Sequence, residues 1–371
     1  MMKPFVTMRL FTFVVWCLYA SSATAQSEPI PKEFFGLHIH RADQGTAWPS
    51  VPFGSWRLWD AYVTWADIEP TRGKWNFSRL DRDVALAEKH KVEILLPLAN
   101  TPAWASARPN EASGYKPGNA SEPANMDDWR RYVRTVGERY KGRIRHYEIW
   151  NEPNLKPHYS GTISKVVDLA CEAYKILKSI DPQNQVVSPA ASTGATDHIE
   201  YLDRFLSSGG KNCIDIVAHH FYVAKYNPEA MVPIIRNVRQ VMAKNGVDKK
   251  PLWNTETGWR LGNDDGSPDH AMVRQYRKIS ADDPNFMLKA FALSKAGGVD
   301  RFYWYSWDNP YGLGMIDTKS GNPKRIVQQW GEAFDRLLGA SQVRCSQNGK
   351  NWNCSFVRKT GGSDDFSWTA E

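Results

Sequence analysis

The chain has 371 residues, of which 42% are hydrophobic and 23% are charged, as in a globular protein with a sizeable core. Its formal net charge is +7, but no run of lysine or arginine suggests a nucleic-acid partner. The 16 tryptophans, together with 15 tyrosines and 15 phenylalanines, supply more aromatic surface than a core of this size needs.

The first 25 residues are typical of a secretory signal peptide. Lys3 and Arg9 form a basic start, residues 10–20 form a short apolar run, and Ala23 and Ala25 fit a cleavage site. The apolar run is shorter than the ~20 residues of a membrane-spanning helix, and no later segment is long enough. We therefore expect a secreted or periplasmic protein with no membrane span in the mature chain. An uncleaved anchor is the alternative.

Short apolar segments predict eight β-strands, each followed by a helical or loop segment. Their ranges are 34–40, 55–60, 93–99, 143–150, 185–190, 214–222, 250–257 and 300–307. Helical periodicity is clearest at residues 78–90, 126–142 and 163–180. Continuously hydrophobic strands that alternate with helices are typical of a parallel sheet covered by helices. We predict an α/β fold with one domain, a (β/α)8 TIM barrel over residues 26–340, rather than an open doubly wound sheet.

Residues 341–371 predict a short C-terminal tail with one hairpin. Cys345 and Cys354 bracket the turn sequence Asn348-Gly349, so an exported chain is expected to join them by a disulfide. Cys171 and Cys213 are interpreted as two buried free thiols rather than a pair. The cysteines have no metal-ligand spacing, and we expect no metal and no cofactor.

Polar and aromatic residues gather where the predicted strands end, which is where barrel enzymes carry their sites. The fourth strand ends in Asn151 and Glu152, and the seventh contains Glu256 near its end. The remaining candidates at strand ends and in the loops after them are His40, Arg57, Trp104, His220, Tyr222 and Trp307. Two facing glutamates suit glycoside cleavage, because one protonates the leaving oxygen while the other attacks the anomeric carbon. The predicted partner is a carbohydrate, whose rings can stack on tryptophan faces.

The Asn-Glu-Pro sequence at residues 151–153, together with TETGW at 255–259, resembles the retaining glycoside hydrolases built on (β/α)8 barrels. Residues 57–81 and the sequence IWNEPN are most similar to family 39, which includes β-xylosidases, α-L-iduronidases and bacterial exopolysaccharide hydrolases. The resemblance covers about residues 33–340. It implies that Glu152 is the general acid/base and Glu256 the nucleophile.

The same resemblance implies roles for the other candidates. Asn151 would hold the sugar 2-hydroxyl, Tyr222 and His220 would orient the nucleophile and contact sugar, and Trp307 would be the aromatic platform at the cleavage point. Two departures matter. Several family members carry an accessory β-sandwich for which this chain has no room, and His38 and His40 match no family residue, so their roles stay open.

The chemistry sets further expectations. Glu152 should have a raised pKa and Glu256 should be ionised, helped by Tyr222 or Arg57, with the two carboxyl groups ~5–5.5 Å apart. Glu148 is expected to form a structural ion pair with Arg145 or Arg57. We predict a monomeric retaining glycoside hydrolase that acts on a polysaccharide or oligosaccharide, with an exopolysaccharide as one candidate. The alternatives are a non-catalytic carbohydrate-binding barrel and a transglycosylase.

Overall fold

The computed structural model describes residues 28–223, 225–262, 268–279 and 283–370. The predicted signal peptide lies outside the described residues. No helix in the described part of the chain is both long and apolar enough to cross a membrane.

Parallel strands form a single curled sheet. The strands are β1 (Phe35–Leu37), β2 (Ser55–Arg57), β3 (Glu93–Leu98), β4 (His146–Ile149), β5 (Gln185–Val187), β6 (Ala191–Ser192), β7 (Val217–His220), β8 (Leu252–Thr257) and β9 (Val299–Trp304). Their order is β5-β4-β3-β2-β1-β9-β8-β7-β6. This order makes each predicted strand a neighbour of the next one along the chain and confirms the predicted barrel.

The fifth position of the barrel is divided between β5 and β6. Pro189 lies between these two short strands and lacks the N–H that a continuous ladder needs. A parallel bridge between Val187 and Ile216 joins the end of β5 to the segment before β7, and Ser188 N donates to Ile216 O at 2.9 Å. Because β6 pairs with β7, the sheet closes at this point into eight strand positions.

Helices alternate with the strands. They are α1 (Trp65–Ile68), α2 (Ser78–His90), α3 (Met126–Arg139), α4 (Ile163–Ile180), α5 (His198–Ser207), α6 (Met231–Lys244), α7 (Ala271–Arg274), α8 (Phe286–Ala296) and α9 (Arg325–Leu337). The predictions for 78–90 and 163–180 are confirmed at both ends, and the helix predicted over 126–142 ends at Arg139. The Asn125 side chain caps α3 by accepting from Asp127 N.

The core lies between the sheet and the helix layer. Every residue of β4 and of β8 is buried, as expected for strands covered on both faces. Large aromatic side chains fill the layer where helices meet strands, and Trp56, Trp65, Trp129 and Trp330 are fully buried. The polar ends of β4 and β8 are therefore held by a rigid, apolar scaffold.

The C-terminal tail contains more structure than predicted. The hairpin of β10 (Ser341–Asn348) and β11 (Asn351–Val357) is present, with the predicted Cys345–Cys354 disulfide across it. A third antiparallel strand, β12 (Ser363–Thr369), pairs with β11. In this strand polar residues alternate with Phe366 and Trp368. The two aromatic side chains therefore lie on one face of the small sheet, the face that packs against the barrel.

The interpretation of Cys171 and Cys213 as free thiols is wrong. They form a disulfide with a Cα–Cα distance of 4.7 Å. Cys171 lies on α4, and Cys213 follows a short 3-10 turn that packs against that helix. The 41 residues between the two cysteines include β5, β6 and α5, and the spacing of the cysteines in the sequence carries no sign of this contact.

Candidate active site

The chain takes a strained path where β4 ends. Trp150 and Glu152 both have left-handed backbone conformations, with φ of 63° and 45°. Such conformations are costly for residues other than glycine and are concentrated at functional sites. Glu152 N donates to Ala190 O at 3.1 Å, which ties the bend to the neighbouring strand position. This path places the Glu152 side chain at the mouth of the barrel.

The two candidate catalytic carboxylates converge. Glu152 and Glu256 are each 7% exposed, so both are buried yet reachable from the mouth. One oxygen of each lies within 4.8 Å of the other and of a His220 ring nitrogen. The barrel therefore brings together two glutamates that lie more than 100 positions apart in the sequence.

Arg57, at the end of β2, connects most of the site. This fully buried guanidinium donates to Glu148 Oε2 at 2.5 Å, to Glu256 Oε2 at 2.8 Å and to Asn151 Oδ1 at 2.7 Å. The predicted ion pair of Glu148 with Arg57 is confirmed. Burial lowers the pKa of Arg57, but Glu148 and Glu256 outweigh burial, so the pKa lies above its ordinary value. Arg57 therefore stays charged and fixes the positions of the Glu256 and Asn151 side chains.

Glu256 has a second hydrogen-bond donor. Tyr222 Oη donates to Glu256 Oε1 at 2.8 Å, as the predicted role of Tyr222 requires. Because Arg57 binds the other oxygen, both oxygens of Glu256 accept a hydrogen bond from a defined donor. Burial and the negative charge of Glu152 raise the pKa of Glu256, whereas His220, Arg57 and Tyr222 oppose that rise.

Glu152 lies between two imidazoles. His220 Nδ1 is 2.9 Å from Glu152 Oε1, and His158 Nδ1 is 3.0 Å from Oε2. His220 was predicted to orient the nucleophile, but its direct hydrogen bond is to Glu152. Burial raises the pKa of Glu152, but the close contacts with His158 and His220 outweigh burial and hold the pKa below its usual range.

The expected direction of the Glu152 pKa is therefore wrong. The prediction relied on a less polar setting or a neighbouring carboxylate, whereas the structure places an imidazole against each oxygen of Glu152. The site nevertheless favours binding of a proton, because three carboxylates, those of Glu148, Glu152 and Glu256, lie around the single guanidinium of Arg57. Glu152, His158 and His220 form one contiguous cluster of side chains.

A second polar group lies at the ends of β1 and β9. His38 is fully buried, with Nε2 3.1 Å from Thr255 O. Burial and the charge of Arg57 hold the pKa of His38 well below its usual value, so it is neutral at pH 7. His40 packs its ring 4.9 Å from that of Tyr305, whose hydroxyl donates to Asp60 Oδ2 at 2.6 Å.

This second group contains His40, one of the residues predicted to bind the substrate. Its backbone N donates to Asp308 Oδ1 at 2.8 Å, and its buried Nε2 has no hydrogen-bond partner within the described residues. Burial lowers the pKa of His40, against the opposing charges of Asp60 and Asp308. A neutral imidazole with an unoccupied nitrogen fits the predicted sugar contact, which stays a prediction.

The two candidate tryptophans differ in their surroundings. Trp307 is 2% exposed and donates its indole N–H to Ala47 O at 3.1 Å, so its role as a sugar platform stays a prediction. Trp104 donates to Glu69 O and lies under the guanidinium groups of Arg72 and Arg131. Its indole ring also packs edge-on against Trp65, so these contacts lie in the helix layer. The role of Trp104 at the sugar cleft stays a prediction.

The spacing of Glu152, His220 and Glu256 is one that a metal ion could bridge. The Glu256 oxygen nearest Arg57 already accepts a charged hydrogen bond at 2.8 Å, and both oxygens of Glu152 face imidazole nitrogens. A cation would have to displace these donors and would be repelled by Arg57. The arrangement fits proton transfer better than metal binding.

Three residues near the carboxylates were missed as site residues in the sequence analysis. His158 contacts Glu152, and Tyr115 lies beside His158 with a ring-centroid distance of 5.7 Å. Tyr305 joins His40 to Asp60. His158 follows Glu152 by only six positions in NEPNLKPH, a short loop with two prolines. This short separation in the sequence could have indicated that the two side chains are neighbours. Tyr115 comes from an irregular loop and carried no such signal.

Comparison with known proteins points to one group of enzymes. The model of the glycosyl hydrolase catalytic core family matches residues 121–331, and that of glycosyl hydrolase family 10 matches residues 60–169. A β-xylosidase of Geobacillus stearothermophilus is 26% identical over 209 residues, which are 49% of this chain and 40% of that protein. A β-xylosidase of Caldicellulosiruptor saccharolyticus is 28% identical over 135 residues, which are 34% of this chain and 26% of that protein. The match thus spans less than half the length of these relatives.

Solved structures with the same fold cover most of the chain. A family 39 glycoside hydrolase from Bacteroides cellulosilyticus superposes with a TM-score of 0.68 at 17% identity, over 93% of this chain and 71% of that one. A monomeric β-xylosidase from Caulobacter crescentus gives a TM-score of 0.66 at 18% identity, over 89% of this chain and 74% of that one. These matches confirm the predicted fold, and the family model confirms the resemblance to glycoside hydrolases.

Proposed function

The chain belongs to the glycosyl hydrolase catalytic core family, and from that premise we propose that it cleaves O-glycosidic bonds of a polysaccharide or oligosaccharide with retention of configuration. The observation that carries the proposal is the approach of one oxygen of Glu152 to one oxygen of Glu256 within 4.8 Å. Retaining enzymes need a spacing of ~5–5.5 Å between the carboxyl groups, whereas inverting enzymes need room for a water between them at ~6.5–9.5 Å.

In the first step, a carboxylate oxygen of Glu256 attacks the anomeric carbon and forms a glycosyl ester. The bond from that carbon to the leaving oxygen breaks, and the leaving oxygen takes the proton supplied at Glu152. In the second step, Glu152 removes a proton from water, whose oxygen attacks the same carbon and releases Glu256. One proton leaves the cluster around Glu152 in the first step and one returns in the second, so the cycle balances.

The donors around Glu256 fit this change of charge. Arg57 and Tyr222 hold the carboxylate in the attacking orientation and stabilise its ionised form. When Glu256 becomes an ester its charge disappears, which removes one of the negative neighbours of Glu152. Asn151 accepts from Arg57 through Oδ1, so its amide N–H groups are left to bind a sugar hydroxyl.

A polymeric substrate is supported by aromatic side chains at the mouth. Within the described residues, the large hydrophobic side chains that are clearly exposed are Tyr62, Tyr115, Tyr226 and Tyr311. All four lie in loops that follow strands, on the same end of the barrel as Glu152 and Glu256. Rings on this rim offer stacking surfaces for sugars beyond the cleavage point. Because two of the relatives are β-xylosidases, β-linked xylose polymers are the first substrates to test, with exopolysaccharides next.

Export is part of the same proposal. The two disulfides, Cys171–Cys213 and Cys345–Cys354, are typical of proteins that fold in an oxidising compartment. We propose that the mature chain acts outside the cytoplasm as a monomer. Cell fractionation and light scattering of the purified chain would test the two statements separately.

The test is a panel of aryl glycosides, beginning with β-D-xylosides, followed by NMR of the product formed first. We expect the anomeric configuration of the substrate to be kept in that product, and an inverted product would contradict the mechanism. Glu256→Gln should lose at least about 10³-fold in kcat, because the nucleophile is gone. Glu93→Gln is the matched control, since Glu93 lies at the opposite end of the barrel and should leave turnover unchanged.

The same measurements separate the two alternatives. A non-catalytic binder would retain sugar affinity and show no turnover with any glycoside, in wild type as in Glu256→Gln. A transglycosylase shares the ester intermediate but passes the sugar to a second sugar instead of water. Product sizing with added acceptor would reveal it, because chains longer than the substrate would appear.

A further inference from the structure

The loop after β4 returns a histidine to the carboxylate that precedes it. His158 Nδ1 lies 3.0 Å from Glu152 Oε2, while His220 Nδ1 lies 2.9 Å from Oε1, so each oxygen of this carboxylate faces an imidazole. We propose that His158 is a positioning residue that shares the acid/base proton with Glu152 and exchanges that proton with solvent. The inference rests on the proposed role of Glu152 and assigns a task to His158 that the motif around Glu152 does not include.

His158 is held in place by neighbouring elements. Its carbonyl accepts from Trp150 Nε1 at 2.9 Å, and Gly114 N donates to the adjacent Pro157 O at 2.7 Å. A Cβ atom at Gly114 would lie 3.2 Å from His158 Cδ2, closer than most such contacts, so the glycine leaves room for the ring. Tyr115 covers another side of the imidazole. The contact with Glu152 is therefore built by two loops rather than made by a freely moving side chain.

Exposure separates the two histidines. The side chain of His220 is 0% exposed and that of His158 is 23% exposed, whereas the side chain of Glu152 between them is 9% exposed. His158 is therefore the basic partner of Glu152 through which a proton can pass to bulk water when substrate covers the carboxylates. His220 has no such route and serves to fix the orientation of Glu152.

The charges that face His158 support its protonation. They come from Glu152 on its own loop, from Glu256 on β8 and from Asp60 in the loop after β2, while Tyr115 lies beside the ring. Burial lowers the pKa of His158, but the close contact with Glu152 and the charges of these three carboxylates raise it above its usual value. The pair Glu152 and His158 therefore holds one proton at a pH at which an isolated glutamate would have lost it.

The catalytic cycle uses this proton without net change. In the first step, Glu152 gives its proton to the leaving oxygen and is left ionised beside His158. In the second step, Glu152 accepts a proton from the attacking water, which restores the starting protonation of the pair, and His158 exchanges this proton with solvent between turnovers. No bond of the substrate is made or broken by His158, which acts only through Glu152.

Two variants separate positioning from proton sharing. His158→Asn keeps an N–H donor near the position of Nδ1 but cannot titrate, and His158→Ala loses both properties. The readout is kcat/KM against pH for an aryl glycoside with a poor leaving group. We expect the alkaline limb of His158→Asn to move to lower pH by about one unit, because Glu152 alone then has to retain the proton. His158→Ala should in addition lose about 10–100-fold in kcat with this substrate and far less with a dinitrophenyl glycoside, which needs no acid.

His90→Asn is the matched control, since His90 stacks on Trp48 with a ring-centroid distance of 4.1 Å and lies on the outer helix α2. Its pH profile should superpose on that of the wild type. An unmoved alkaline limb in both His158 variants would overturn the inference, whatever their activity.

A second readout does not require turnover. NMR titration of the His158 ring should give a pKa above 6.5 in the wild type and a lower one in Glu152→Gln, which removes the carboxylate charge. If no glycoside is hydrolysed but this difference is found, the proposed function fails while the shared proton stands. If hydrolysis is found and the His158 pKa is the same in both proteins, the inference fails while the proposed function stands.

Discussion

Acidic residues are buried in two regions of this molecule, with opposite results. At the barrel mouth, Glu148 and Glu256 both accept hydrogen bonds from the buried guanidinium of Arg57. On helix α2, Asp83 is 2% exposed, and within the described residues its carboxyl has no hydrogen bond or ion pair. The nearby arginines, Arg79 and Arg82, donate instead to Asp43.

The difference shows that a buried carboxylate needs directed hydrogen bonds from a cation, and not only a nearby charge, if it is to take part in chemistry. Arg57 contacts its partners through three nitrogens in a fixed plane, so it can compensate charge and define geometry together. Two arginines lie near Asp83, but neither donates a hydrogen bond to its carboxyl group. Burial and the charge of Asp43 therefore raise the pKa of Asp83 to about 8. The mouth can use its charge for chemistry, whereas Asp83 only makes stability depend on pH.

The largest effect is expected when the compensating cation is removed. Arg57→Met has a similar volume but leaves Glu148 and Glu256 buried without their shared partner. We expect a loss of about 3–5 kcal/mol in the free energy of unfolding and at least about 10³-fold in kcat/KM. Denaturant unfolding and steady-state kinetics would measure the two effects. Arg57→Lys is the comparison: it restores charge but not the planar fork, so it should recover more stability than activity. Equal recovery of both would argue that charge alone matters.

A smaller effect is expected when one neutral donor is removed from Glu256. Tyr222→Phe deletes the hydroxyl that donates to Glu256 Oε1 at 2.8 Å and leaves the ring in place. That hydrogen bond lowers the pKa of Glu256, so its loss should move the acidic limb of kcat/KM to higher pH and lower the plateau about 10–100-fold. Tyr201→Phe, which removes a buried hydroxyl on α5, is the control and should leave the profile unchanged. An acidic limb that moves to lower pH in Tyr222→Phe would contradict the assigned role.

The opposite displacement is expected from Glu148→Gln. Arg57 shares its charge between Glu148 and Glu256, and a neutral side chain at position 148 leaves more of that charge for Glu256. The acidic limb should therefore move to lower pH by less than about one unit, with kcat changed by less than about 10-fold. A pH profile that does not move would mean that Glu148 and Glu256 do not compete for the guanidinium.

The extent to which sequence predicted this site follows from how each contact arises. Strand ends converge in a parallel barrel, so Glu152, Glu256 and Tyr222 could be placed together from periodicity and resemblance alone. The helix bounds of α2 and α4 were equally accessible, because apolar spacing and terminal residues define them locally. Contacts that depend on the path of a loop or on helix packing could not be predicted from the sequence. Tyr115 beside His158 and the Cys171–Cys213 bond arise from such paths, and the Glu152 pKa direction was wrong because it depends on His158.

The smallest predicted effect concerns Asp83, and it has the opposite sign to the effect of removing Arg57. The folded chain retains the Asp83 proton up to a pKa of about 8, whereas an unfolded aspartate loses it near 3.8. Between these values the folded state binds more protons, so the free energy of unfolding falls as the pH rises from about 4 to about 8. Asp83→Asn removes this penalty. We expect it to match the wild type near pH 4 and to be more stable by roughly 1–2 kcal/mol at pH 8, a figure reduced from the full linkage value because water and local relaxation screen the charge.

The matched variant is Asp81→Asn, two positions earlier on α2. The hydrogen bond from Arg139 lowers the pKa of Asp81, so its charge stabilises the folded state above the unfolded pKa and this contribution is lost as the pH falls. Asp81→Asn should therefore lose stability at pH 8, by under about 1 kcal/mol because the pair is exposed. Urea unfolding of both variants at pH 4 and pH 8 checks the two signs in one experiment. If Asp83→Asn were no more stable than the wild type at pH 8, a side chain with two arginines nearby would be compensated without direct contact, and the contrast with Arg57 would lose its physical basis.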